Sequence, residues 1–89
     1  MAQTEENEII ELSDEIILYP NPSDGNFYVG FSALDEIYSI EIISFAGQKV
    51  FEKQNTSDPA ISVSHLAKGI YLVKITKDSK TIIKNIVIK

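Results

Sequence analysis

His65 is the only histidine of the chain, and Ser62 and Ser64 stand beside it, which are the residue types a nucleophilic hydrolase would need. The spacing does not serve that chemistry. Neighbouring residues of a strand point to opposite faces, and no glycine elbow lifts a serine toward a base. With neither a cysteine nor a paired carboxylate close to it in sequence, His65 reads as a solvated corner residue. A second cluster, "NPSDGN" from Asn21 to Asn26, offers oxygen donors and a glycine in the manner of a calcium loop. It lacks the alternating acids and closing glutamate that such a loop uses. The absence of cysteine removes thiolate catalysis, disulfides and thiol-ligated zinc or iron–sulfur sites. No phosphate loop or dinucleotide fingerprint occurs. The chain is therefore expected to be no enzyme and to hold no cofactor and no metal.

Charge separates the chain into two parts. Residues 1–15 hold six acids (Glu5, Glu6, Glu8, Glu11, Asp14 and Glu15) and no base, whereas the rest of the chain carries eight lysines against seven acids, so the acidity behind the formal charge of −5 lies in this segment. It reads as a flexible acidic linker, hydrophobic only at Ile9, Ile10 and Leu12, with a short helix there left open. Residues 16–89 read as one small domain. From Lys68 to Lys89 there are six lysines against one acid, Asp78, but the chain contains no arginine. Arginine supplies most bidentate phosphate and base contacts, so no nucleic-acid partner is expected. Lysines that solvate outward faces and blunt strand edges explain the pattern better. No apolar run approaches the roughly 20 residues of a membrane span, and the first 15 residues lack the basic start and apolar stretch of a secretory signal.

From Glu15 onward apolar residues keep a period of two, which predicts strands. Phe27, Val29 and Phe31 share one face. Tyr38, Ile40 and Ile42 share another, and "SFAGQKV" supplies a hairpin turn at Ala46-Gly47 before Val50 resumes the inward set. A polar loop is expected over "EKQNTSDP", Glu52 to Pro59. Ile61, Val63 and Leu66 then run into a corner closed by Gly69, and Tyr71, Val73 and Ile75 point inward. After a turn at "KDSK", Thr81 to Lys89 forms the last strand. Its facing stays open, because Ile82, Ile86 and Ile88 share a side with Lys84 while Ile83 and Val87 share the other with Asn85. Near the start, Pro20 and Pro22 fix φ, Asn21 and Asp24 can bond to backbone, and Gly25 permits a left-handed residue, so the first strand is ended and turned over rigidly. The pattern predicts an all-β fold, an immunoglobulin-like antiparallel β-sandwich of six or seven strands. Tyr71 after "HLAKGI" fits a tyrosine corner, in which the phenol bonds to upstream backbone.

Three phrases in order, "YPNPSDGNFYV" (19–29), "FAGQKV" (45–50) and "LAKGIYLVKI" (66–75), followed by "KNIVIK" (84–89), resemble the C-terminal sorting domain (type A) of type IX secretion cargo, also called the Por secretion system, of Bacteroidetes-type bacteria. The resemblance covers about residues 16–89. Pro20, Asn21, Pro22 and Gly25 match the first motif of that family, Gly47 the second, Gly69 and Tyr71 the third, and Lys84 and Lys89 the terminal basic motif. Ser44 stands where the family often carries an aspartate. Any β-sandwich would want the three glycines for backbone reasons. Lys84 and Lys89 are expendable for folding, so their role would be recognition or solvation.

The resemblance implies a secretion signal carried as a folded module. Cargo that has reached the periplasm would be directed through an outer-membrane translocon with its shuttle proteins, and would end at the cell surface or in the medium. A surface cysteine peptidase would then remove the domain by cutting within residues 3–15, and the cargo could pass to an anionic lipopolysaccharide anchor. The final strand is expected to offer its backbone edge to a receptor by strand addition, and in the isolated domain to a second copy, as an edge-strand or swapped dimer. The alternative from fold class is an accessory module for carbohydrate binding or spacing, using Tyr28 and Tyr38 as exposed aromatics.

Overall fold

The computed structural model describes residues 16–31 and 37–89. The acidic linker and the cleavage window lie outside the described residues. Seven strands occur: β1 (Ile17–Tyr19), β2 (Asn26–Gly30), β3 (Tyr38–Ile43), β4 (Lys49–Thr56), β5 (Ala60–Ser62), β6 (Gly69–Lys77) and β7 (Lys80–Ile88). They form a three-stranded sheet in the order β1-β2-β5 and a four-stranded sheet in the order β4-β3-β6-β7, with every strand pairing antiparallel. This is the expected all-β sandwich.

The core is built from the period-two residues. Phe27 and Val29 on β2, Tyr38, Ile40 and Ile42 on β3, Ile61 and Val63 around β5, and Tyr71, Val73 and Ile75 on β6 are all buried in one cluster. β7 settles the facing that its sequence leaves open. Ile86 and Ile88 are buried and Ile82 packs against the cluster, whereas Ile83 stays exposed, so the even-numbered residues face inward. Lys84 therefore lies on the inward face opposite Val73 and is half-buried. It is not one of the outward solvating lysines that composition suggests.

Two further expectations need correction. "EKQNT", Glu52 to Thr56, is strand rather than loop: Lys53 stands opposite Ile40 and Thr56 opposite Tyr38, and the connection to β5 shrinks to residues 57–59. Its polar composition suits an edge strand, where one face and one backbone edge meet water. Bulges shift the β3–β4 register near Tyr38/Ile40 and near Ile42/Ile43. Phe51 is consequently the residue opposite buried Ile42, while Val50 also packs against the core.

Tyr38 is the second correction, because it is 2% exposed and not available as a surface aromatic. Its ring lies 5.0 Å from that of Phe31, and its phenol donates to the main-chain carbonyl of Asp58 at 2.7 Å. Burial, helped by the nearby Asp58 carboxylate, pushes the Tyr38 phenol up to about 12. A phenol that ionises at about 10 in the unfolded chain thus stabilises the fold fully below pH 10 and loses that contribution as pH rises to 12. Urea midpoints measured between pH 10 and 12 should fall by an amount equivalent to roughly 2 kcal/mol, and Tyr38→Phe should flatten most of that fall. An equally steep fall in the variant would show that another group is responsible.

Candidate functional site

The residues matching the four motifs lie far apart in sequence, and the strand registers bring nearly all of them to one end of the sandwich. β3 runs into the β3–β4 turn, where the Gly47 amide donates to the Ser44 carbonyl at 2.9 Å and the Ser44 amide to the Gln48 carbonyl at 2.8 Å. β6 runs antiparallel to β3 with Leu72 opposite Ile43, so Gly69 and Tyr71 begin β6 beside that turn. β7 runs back along β6 with Ile88 opposite Gly69, so Lys89 arrives at the same place. The loop from Pro20 to Gly25 joins them there, because Ser23 forms a parallel bridge with Ile88. Lys84, opposite Val73, stands apart in the middle of β7. Ile17 stands opposite Gly30, and the next residue, Phe31, packs on Tyr38 at the start of β3, so the chain enters the domain at the end away from the β3–β4 turn.

The Pro20–Gly25 loop is built onto β7. Proline has no N–H, so the main chain at Pro20 and Pro22 cannot donate to a neighbouring strand. The bonds before both prolines are cis. The Asn21 carboxamide takes over the missing role: its Nδ2 donates to the Asn85 carbonyl at 3.0 Å, and its Oδ1 accepts from the Val87 amide at 3.0 Å. Ser23 continues the ladder, donating its amide to the Val87 carbonyl at 2.7 Å and accepting from the Lys89 amide at 2.8 Å. Four successive outward groups of β7 are thereby paired. The expectation of a free terminal backbone edge is corrected for Asn85 to Lys89, where this loop already occupies it. The edge from Lys80 to Lys84 has no strand neighbour other than β6 among the described residues.

The polar side chains of the loop serve its own backbone. Ser23 is 1% exposed; its hydroxyl accepts from the Gly25 amide at 2.9 Å and donates to the Asn26 carbonyl at 2.9 Å. Asp24 accepts from the Asn26 amide at 3.0 Å. These oxygens are engaged locally instead of converging on a cation. Sequence reasoning missed Ser23, and the one available signal was its place between "PNP" and "DG", where a small residue able both to donate and to accept suits a tight turn. Gly25 has φ +109°, and a Cβ there would lie 2.6 Å from Ser64 Cα and 3.0 Å from Ser64 N, so bare backbone crossing backbone demands glycine.

Tyr71 forms the expected corner. Its phenol donates to the Ala67 carbonyl, four residues upstream, at 2.6 Å, while its ring lies in the core. His65 is exposed in the turn before this corner, and the Ser62 hydroxyl is bonded to Asn26 Oδ1 at 2.8 Å, so the two do not form a nucleophile and base. The exposed aromatics of the small sheet are Tyr28 and Tyr19, with ring centroids 5.6 Å apart, and the carbohydrate reading loses Tyr38. The arrangement around the loop can present a composite surface built from several segments of the chain.

The loop geometry makes separable predictions. Asn21→Ala should cost about 1 kcal/mol and should speed hydrogen exchange at the Val87 amide far more than at Lys89, which Ser23 holds. Equal protection at Val87 would show that the side chain does not hold that strand. Gly25→Ala should lower the melting temperature well beyond Gly47→Ala. The first adds a backbone clash to an unfavourable φ, whereas at Gly47 a Cβ meets nothing within 4 Å and only the φ of +89° costs, about 1 kcal/mol.

No curated protein matches the chain. A family model described as the secretion system C-terminal sorting domain matches residues 17–89.

Proposed function

The chain belongs to the family of type IX secretion C-terminal sorting domains, and from that premise we propose that residues 16–89 are an address label, read as a folded module at the end of the sandwich where the motifs meet. The family is not an enzyme family, and a signal of this kind implies interaction with the type IX machinery and export across the outer membrane to the cell surface or the medium.

The observation that carries the finer reading is the convergence of motif residues from Pro20 to Lys89 on one end, built around the loop that binds β7. A receptor that touched this end would sample every motif at once, and would find them in register only when the domain is folded. Pro20, Asn21, Pro22 and Gly25 set the loop; Gly47, Gly69 and Tyr71 set the adjoining turn and corner; Lys89 supplies a cation just past β7. Lys84 contributes from the middle of β7. The translocon and its shuttle proteins would be the readers. A surface cysteine peptidase would then cut within residues 3–15, and the cargo would be released or joined to anionic lipopolysaccharide. The domain itself performs no catalysis in this scheme.

The test is a fusion. A reporter enzyme with its own periplasmic signal peptide, followed by residues 16–89, should appear at the surface or in the medium of a host with the type IX translocon, and should stay in the periplasm of a translocon-deficient strain. Periplasmic retention in both hosts would overturn the proposal.

A further inference from the structure

Resting on the sorting-signal reading, we propose that the contact surface at the motif end is the apolar depression between the β3–β4 turn and the start of β6, and that its occupant is a protein segment carrying an aromatic or branched aliphatic side chain next to a carboxylate. The depression measures about 410 Å³ and is lined by Ser44, Phe45, Ala46, Lys68, Gly69, Ile70 and Tyr71. Phe45 and Ile70 lie within the phrases "FAGQKV" and "LAKGIYLVKI" but are not among the residues matched singly to the motifs, and they stand out by exposure: Phe45 is 80% exposed and Ile70 48%. The other phenylalanines with described surroundings, Phe27, Phe31 and Phe51, are buried or packed against the core. A phenylalanine at a hairpin tip does nothing for the fold, and a rigid apolar side chain beside a hollow is what a binding hot spot requires.

Charge selects the occupant. Lys68 is the one charged residue among those lining the depression. Lys49, at the start of β4 just past the turn, is held by Glu52 at 3.0 Å and Glu41 at 3.8 Å. Lys68 has no carboxylate partner among the described residues, so a partner that brings one gains a contact that water otherwise supplies. The hollow is open and shallow, which suits side chains projecting from a protein and not an enclosed small molecule. It also explains why the second and third motifs go together: Gly47 shapes the tip that carries Phe45, and Gly69 with Tyr71 shapes the opposite wall.

The experiment compares reporter fusions of residues 16–89 bearing Phe45→Ser, Ile70→Thr or Lys68→Glu with the parent fusion, alongside their melting temperatures and sedimentation. Because Phe45 and Lys68 are exposed, these variants should melt like the parent while the exported fraction falls about tenfold for Phe45→Ser and several-fold for Lys68→Glu. The isolated domain should sediment as a monomer. Parent-level export of all three stable variants overturns the proposed surface and leaves the sorting-signal reading standing; failure of the parent itself to be exported overturns both. A domain that dimerises and becomes monomeric on Phe45→Ser would assign the hollow to a second copy, against the proposal.

Discussion

The last strand of a sheet has a row of amides and carbonyls that must find partners, and in this domain the Pro20–Gly25 loop supplies them for the second half of β7. Much else follows from that one clasp. It ties the three-stranded sheet, through the residues directly after β1, to the edge of the four-stranded sheet. It also fixes the loop so that Gly25 can cross the backbone at Ser64, with the Gly25 carbonyl accepting from the Val63 amide at 2.7 Å. From Val63 the chain turns into the corner that Tyr71 closes. The contacts in which the motif residues take part are thus largely links in one backbone arrangement.

Strands were legible wherever one face is buried and the other wet. Phe27 and Val29, or Tyr71, Val73 and Ile75, alternate because the sandwich has only one interior. β4 was not legible beyond Phe51, because an edge strand with bulges needs few apolar residues and its polar run mimics a loop. β7 hid its facing for a different reason: its outward side carries Ile83 and Val87, and its inward side spends a position on Lys84. Tyr71 could be anticipated because a tyrosine corner is local, with partner and phenol four residues apart. The partnership of Asn21 with Asn85 and Val87 spans more than sixty residues, and no local pattern announces it.

The motifs mix two kinds of residue. Gly25 and Asn21 are explained by the fold alone, since the first must lack a side chain and the second must act as a substitute peptide group. Exposed residues close to them, Phe45 and Lys68 above all, have no structural reason for being where they are. An exposed side chain of that kind leaves no periodic or turn signal in a single sequence.

The described polypeptide begins at Ile16, beside the Phe31–Tyr38 contact and away from the β3–β4 turn. In the sorting-signal reading, a passenger would join the domain through residues 1–15, at the end where Phe31 meets Tyr38. A bulky passenger attached there would cast little steric shadow on the motif face, and its own shape would hardly enter the encounter. Such a layout would make the label portable across passengers of very different size.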